Sequence, residues 1–186
     1  MKRWFKFIPV VLLSGCAMLS DPPAPVAPPA QPEAVPFAMN GRVSINRGGE
    51  RHTAGLRWIH LAGSDEILLF APLGQTAARV YRDNGNATLD SDGKHYQATD
   101  AETLMEQALG WHLPLDGLHH WVLGLPAADG AADIERDADG RISLLMQDGW
   151  EVRYLRYADT LPARMQLNHE GLQMLLLIDE WEWNPQ

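Results

Sequence analysis

Apolar and polar residues alternate along most of the chain after residue 36, and this period of two limits the fold more than any other feature. Side chains of a β-strand point to its two faces in turn, so the alternation predicts strands that bury one face. The first two predicted strands bury Phe37, Met39, Val43 and Ile45, and then Leu56 and Trp58. We therefore expect a β-sheet with one apolar face.

Turn motifs separate these segments at short intervals. They read NRGGE, LAGSD, RDNGN, SDGK, DADGR and QDGW, and each combines glycine with polar residues that favour turns. Such turns join antiparallel neighbours, and the chain shows neither a strand-helix-strand rhythm nor an internal repeat. The motifs predict about ten or eleven strands in one antiparallel sheet.

Two segments depart from the alternation and predict helices. In TDAETLMEQALG, Thr99 and Glu102 form a capping box and Gly110 ends the helix, and a second short helix is expected in LDGLHHWVLG. The predicted fold class is α+β: a curled antiparallel sheet, open as a half-barrel, whose open side is capped by helices. That arrangement leaves an apolar cavity or a packed core between sheet and helices.

Residues 1–15 have the layout of an export signal. Lys2, Arg3 and Lys6 precede an apolar stretch that is too short to span a bilayer. The signal ends in LSGC, and Cys16 is the only cysteine, so an intrachain disulfide is impossible. LSGC resembles a bacterial lipobox, which implies cleavage before Cys16 and S-diacylglycerol and N-acyl groups on that residue. The alternative, a cytosolic protein with an incidental buried cysteine, leaves the basic start unexplained.

Residues 16–36 are predicted to be a lipidated cysteine followed by a proline-rich linker, and residues 37–186 to be the folded domain. The segment SDPPAPVAPPAQPEAVP contains nothing that could nucleate a core. The formal net charge of −9 would become −12 once Lys2, Arg3 and Lys6 are removed. Such an acidic chain is not expected to bind nucleic acid. Ala17 after the cysteine suggests, by resemblance to other bacterial lipoproteins, sorting to the outer membrane.

No residue pattern predicts catalysis or a metal site. The seven histidines are scattered and no cysteine is available to complete a metal site. DADG lacks the glutamate that an EF-hand loop needs and is interpreted as a hairpin turn. Acidic pairs such as Asp65 and Glu66 are expected to lie in solvated turns. We expect no enzyme activity and no cofactor other than the lipids on Cys16.

The domain resembles the LolB family of outer-membrane lipoprotein receptors. The resemblance rests on GRV at 41–43, Trp58, PLGQT at 72–76, YQATDAE at 96–102, LGWHLPLDGLHHWVLGLP at 109–126, QDGW at 147–150, LPARMQL at 161–167 and a late IDEW. It implies a monomer, anchored in the outer membrane and facing the periplasm. It also implies that the protein accepts lipoproteins from the carrier LolA in an apolar cavity and passes them to the inner leaflet of that membrane.

The resemblance also suggests two sets of site residues. Pro72, Leu73 and Gly74 would form a loop that inserts into the membrane, with the alternative that Leu73 folds back onto the sheet. The residues expected to line the acyl cavity are Trp58, Met105, Leu109, Trp121, Met146, Met174 and Leu176. The alternative function is an outer-membrane scaffold lipoprotein with a solid core; a lipid hydrolase is disfavoured because no nucleophile constellation is present.

Overall fold

The computed structural model describes residues 35–83, 85–109 and 114–185, and of Ala108 and Leu109 only the backbone. The predicted signal, Cys16 and almost all of the predicted linker lie outside the described residues. The strands are β1 (Phe37–Arg47), β2 (Glu50–Leu61), β3 (Ser64–Phe70), β4 (Thr76–Asp83), β5 (Asn86–Ser91), β6 (Lys94–Ala98), β7 (Ala132–Arg136), β8 (Ile142–Gln147), β9 (Trp150–Ala158), β10 (Leu161–His169) and β11 (Leu172–Trp183). The helices are α1 (Ala101–Leu109) and α2 (Leu115–Val122).

All eleven strands form one sheet in the order β6-β5-β4-β3-β2-β1-β11-β10-β9-β8-β7. Every neighbouring pair is antiparallel. The first and last strands therefore pair at the centre of the sheet, and both helices lie in the connection between its two edge strands, β6 and β7. Among the described residues no ladder joins β6 to β7, so the sheet is open.

The predicted α+β class is wrong, because the fold is almost entirely β. The helices contain nine and eight residues, and both belong to a single insertion between the two halves of the sheet. Neither forms a layer of its own. The sequence motifs located both helical segments, but these two short helices make up only a small part of the described chain.

Helix α1 begins one residue later than the predicted capping box implies. The carboxylate of Asp100, rather than the hydroxyl of Thr99, accepts a hydrogen bond of 2.7 Å from the backbone N–H of Thr103. The Thr103 hydroxyl donates a second, of 2.9 Å, to the same carboxylate. Asp100 is therefore the N-cap. These hydrogen bonds lower its pKa from the ordinary value, which keeps it ionised.

A β-bulge at the centre of the sheet explains a glycine in β1. The register of β1 against β11 shifts between Asn40 and Gly41, where Asp179 has no partner of its own. A Cβ atom on Gly41 would lie only 2.0 Å from the backbone carbonyl oxygen of Leu177. The close approach of two backbones, rather than a need for positive φ, thus requires glycine here.

Replacing Gly41 with alanine is expected to lower the free energy of unfolding by about 1–3 kcal/mol, because the backbone of β11 must move. Gly55→Ala in β2 is the matched control, since a Cβ atom there would meet the Phe70 side chain at an ordinary distance of 3.4 Å. Urea unfolding of both variants measures the difference. Equal stability of the two would show that the bulge tolerates a side chain.

Candidate functional site

Strand register sets the inward side chains of one half of the sheet into rows. The first row contains Phe37, His60, Asp65 and Arg82. The second row contains Met39, Trp58, Ile67, Val80 and Leu89. The third row contains Leu56, Leu69, Ala78 and Ser91. One end of the sheet is therefore polar on its inner face, and the rest is apolar.

An apolar cavity of about 110 Å³ lies over the second and third rows. Met105 of α1 and Leu118 of α2 also line it, as do Met174 and Leu176 of β11. The residues of the second row are buried, whereas Leu69, Ala78 and Ser91 of the third row are only half-buried. The cavity is therefore closed toward the first row and more open toward the opposite end of the sheet.

The residues predicted to line an acyl cavity separate into three groups. Trp58, Met105, Met174 and Leu176 line the apolar cavity. Trp121 and Met146 are not among its lining residues. The side chain of Leu109 lies outside the part of the chain that the structure describes.

Met146 and Trp121 lie elsewhere for different physical reasons. In β8 the inward positions are Leu145 and Gln147, so the alternation turns Met146 outward, where it is 42% exposed. Trp121 is buried against β8 and β9, where its ring lies near Trp150 and its indole N–H donates to the side-chain oxygen of Gln147 at 3.0 Å.

The half of the sheet formed by β8, β9 and β10 has a filled core. Trp121 packs near Trp150 with ring centroids 6.0 Å apart. Leu145, Val152 and Leu167 are completely buried. The hydroxyl of Tyr154 donates to the backbone oxygen of Trp121 at 2.9 Å and ties α2 to β9. The fold thus combines one packed half with one half that contains a cavity.

Leu73 is the most exposed large apolar side chain of the described residues, at 86%. It lies at the tip of the turn formed by residues 71–75, which joins β3 to β4 beyond the third row. The N–H of Gly74 donates to the carbonyl of Ala71 at 2.8 Å, and the N–H of Ala71 donates to the carbonyl of Gln75 at 2.9 Å. Gly74 has a φ of 82°, which glycine adopts without strain. The Leu73 turn therefore lies at the more open end of the apolar cavity.

The start of β1 lies at the opposite end of the sheet from the Leu73 turn. Phe37 belongs to the first row, and the carbonyl of Pro36 accepts a hydrogen bond of 3.0 Å from the N–H of Asn184, just after β11. The predicted linker consequently enters the domain at the end that is far from Leu73.

A buried polar network occupies the first row, centred on Asp65, which is 1% exposed. Its carboxylate accepts hydrogen bonds of 2.8 Å from both the indole of Trp58 and Nδ1 of His60. It also accepts two from Arg82, one of them 2.9 Å long. Arg82 reaches Asp116 of α2 with its remaining terminal nitrogen. The network therefore links β2, β3 and β4 to the helix above the cavity.

The pKa of Asp65 is set by two opposing effects, its burial and its pairing with His60 and Arg82. Burial alone would raise it, but the hydrogen bond from His60 and the positive charge of Arg82 outweigh that effect and lower the pKa below its ordinary value. Asp65 is therefore a carboxylate at neutral pH. Its pairing removes the need to bury an uncompensated charge.

The expectation that Asp65 lies in a solvated turn is wrong. Position 65 lies on the same face of β3 as the inward positions 67 and 69. The period of two in the sequence already indicated this. His60 likewise follows Trp58 by two residues and shares its face of β2. Because both residues are polar, the inward positions that the alternation assigns to them were not recognised.

The sequence of residues 35–181 matches the family model described as outer membrane lipoprotein LolB. The chain belongs to the LolB family. Relatives named outer-membrane lipoprotein LolB include one from Chromobacterium violaceum, 40% identical over 92% of this chain and 94% of the relative. Another, from Thiobacillus denitrificans, is 36% identical over 93% of both chains. The chain is thus an outer-membrane lipoprotein with a role in lipoprotein localisation.

The fold is shared beyond the LolB family. A crystal structure of a LolA-superfamily protein from Nitrosomonas europaea aligns with a TM-score of 0.53 and 8% identity, over 84% of this chain and 89% of that one. At this identity the likeness concerns the fold alone.

None of the described helices has the length and apolar character needed to cross a membrane. Within residues 35–83, 85–109 and 114–185, no three His, Cys, Asp or Glu side chains are placed to hold a metal ion.

Proposed function

We propose that the protein receives lipoproteins from a periplasmic carrier of the LolA type, holds their acyl chains in the apolar cavity and inserts them into the outer membrane. The observation that supports this function is that the cavity is more open at the end of the sheet that carries the exposed Leu73. An acyl chain leaving by that end meets whatever surface Leu73 contacts.

The energetics explain why a receptor is needed. Burying a methylene is worth about 0.8 kcal/mol, so an acyl chain of roughly fifteen methylenes costs on the order of 10 kcal/mol to expose to water. The protein offers an apolar surface in place of water. Transfer then requires only that each successive site bind the chains more tightly than the one before.

The cavity volume indicates that loading must move the helices. One water needs roughly 10–15 Å³ of such space, so a cavity of about 110 Å³ accepts several methylene-sized groups, or part of one acyl chain. A lipoprotein with three chains requires more. Because α1 and α2 together roof the cavity through Met105 and Leu118, they are the elements that we expect to move outward on loading.

Membrane contact is assigned to the Leu73 turn. Burying a leucine side chain in an apolar phase is worth about 1.5–3 kcal/mol, which suits a transient contact rather than permanent insertion. Permanent attachment is the role proposed for the lipids on Cys16.

Ala78→Phe tests the cavity directly, because Ala78 lines it and a phenyl ring would occupy space meant for the ligand. Losing room for about two methylenes should weaken binding of a fluorescent fatty acid by roughly tenfold. Ala77→Phe is the matched control, since Ala77 is the neighbouring residue on the exposed face of β4. Displacement titrations of both variants give the affinities.

Two outcomes would contradict the proposed function. If the unmodified protein does not bind the fatty acid, the scaffold with a solid core becomes the better reading. If Ala77→Phe weakens binding as much as Ala78→Phe, the acyl chain does not occupy the apolar cavity.

A further inference from the structure

A second cavity, polar and about 380 Å³ in volume, lies at the first-row end of the domain. Its walls come from the β2–β3 turn, the end of β4 and the first turns of both helices. The first-row residues His60 and Arg82 line it, together with Asp116 and His119 of α2. The apolar cavity shares none of these residues. We call it the polar cavity.

The polar cavity is strongly acidic. Four carboxylates line it, those of Asp83, Asp100, Glu102 and Asp116. Arg82 is the one cationic side chain of its lining, and Asp65 and Asp116 already engage it. The cavity therefore favours a positively charged occupant.

Two buried imidazoles face the same space without complete hydrogen bonding. His119 is 5% exposed and His60 is 3% exposed. Nε2 of His60 and both ring nitrogens of His119 have no hydrogen-bond partner; the carbonyl of Leu115 is near His119 but no bond of normal geometry forms. The rings stack with centroids 4.9 Å apart. Buried polar atoms are normally paired, so these nitrogens call for a partner in the cavity.

A neutral imidazole ring has one N–H donor and one acceptor nitrogen. Burial, followed by the proximity of His120 and His60, lowers the pKa of His119 to about 4, so this ring is neutral at pH 7. Nδ1 of His60 lies 2.8 Å from the Asp65 carboxylate, which can only accept. A neutral His60 ring therefore carries its proton on Nδ1 and leaves the lone pair of Nε2, in a residue of the cavity wall, without a donor.

We propose that the polar cavity binds an organic cation with N–H donors, a primary ammonium or a guanidinium group. Its charge is balanced by the carboxylates, and its N–H groups donate to Nε2 of His60 and to the one unprotonated ring nitrogen of His119. Although carboxylates and imidazoles line the cavity, no three of the described His, Cys, Asp or Glu side chains are placed to hold one metal ion. The site is independent of acyl-chain binding, because its lining is separate.

The test is a titration of the lipid-free domain followed by NMR of the His60 and His119 ring signals. The probes are methylguanidinium and n-propylammonium chloride, and tetramethylammonium chloride at the same ionic strength is the control without N–H donors. Shifts of both rings with the first two probes alone are the expected result. Equal shifts with tetramethylammonium, or none with any probe, would overturn the proposal.

Variants locate the site. Asp83→Asn combined with Glu102→Gln removes two carboxylates from the cavity wall and should weaken binding of methylguanidinium by about tenfold or more, as expected for lost charge-assisted contacts. Asp133→Asn combined with Glu135→Gln makes the same change of charge on β7, at the far edge of the sheet. Equal weakening by both pairs would mean that only the overall charge matters.

A third arm distinguishes a free amine from a basic side chain on a protein. The probes are the blocked tripeptide Gly-Lys-Gly and its norleucine analogue. If the lysine peptide shifts the two rings and the norleucine peptide does not, the site takes a protein side chain. If only the small cations bind, it takes a free amine.

Discussion

Asp65→Asn is expected to lower the free energy of unfolding by about 3 kcal/mol, because it leaves Arg82 half-buried without its main counter-charge. The amide also cannot accept all the hydrogen bonds that Trp58, His60 and Arg82 now donate to the carboxylate. Thermal or urea unfolding at pH 7 measures the loss.

The neighbouring residue provides the control for Asp65. Glu66 pairs with Arg79 at 2.6 Å on the outer face of the same two strands, where Arg79 is exposed. Glu66→Gln should therefore cost under about 1 kcal/mol. Adding Arg82→Met to Asp65→Asn should recover part of the loss, since no uncompensated charge then remains. Similar losses for Asp65→Asn and Glu66→Gln would show that the network around Asp65 contributes no more to the free energy of unfolding than an exposed ion pair.

The same carboxylate predicts a dependence on pH. Because the folded state lowers the pKa of Asp65, its contribution is present above the ordinary value of 3.8 and is lost as the pH falls through the lower, folded value. Stability of the wild type should decline as the pH falls from 3.8 toward the folded value, and Asp65→Asn should lack this part of the decline.

Leu73→Glu is expected to block delivery of cargo while leaving its loading intact. The variant loses the burial of a leucine and would have to bring a carboxylate to the membrane, which together cost roughly several kcal/mol and slow delivery on the order of a hundredfold. Exposed turn substitutions usually change stability by under about 0.5 kcal/mol, so the melting temperature should hardly change. The measurement pairs transfer of a labelled lipoprotein from carrier to receptor with transfer from loaded receptor to liposomes.

Leu61→Glu is the matched control for Leu73. Leu61 is an exposed leucine at the end of β2, beside the turn at the first-row end of the sheet. Its replacement introduces the same charge away from the proposed membrane contact, so delivery should stay near the wild-type rate. Delivery that is normal in Leu73→Glu, or equally slow in both variants, would show that Leu73 has no special part in it.

The period-two alternation predicted the inner face of the sheet well where the residues are apolar. It placed Met39, Val43 and Trp58 on the inner face, and all three are buried. The exposed Leu73 was expected from the family resemblance rather than from the alternation. The prediction failed at Asp65, where a charged residue occupies an inward position because three donors surround it in the folded chain. Those donors come from β2 and β4, and no local sequence pattern predicts that the fold brings them together around Asp65.

Other parts of the site depend on how the sheet curves. Trp121 and Trp58 are both buried tryptophans, and nothing in their local sequence tells which of them borders empty space. The packing of Trp121 against Trp150 and Gln147 is set by strands that are distant in the chain. Met146 could have been assigned correctly, since Leu145 and Gln147 beside it take the inward positions of β8.

The entry of the predicted linker at the first-row end has a geometric consequence. From the first row to Leu73 the chain rises by about eight residues, or roughly 25 Å at the usual spacing in strands. If the Leu73 turn touches the bilayer, the end of the domain at which the linker enters faces away from the membrane. The linker must then run back along the full height of the domain to reach the membrane. Pro36 follows Cys16 by twenty positions, and at about 3.1 Å per residue in a polyproline helix this length would reach roughly 60 Å. A fully extended linker of this length would permit both orientations, with the more open end of the apolar cavity toward the periplasm or toward the membrane, and would let the domain turn over between them.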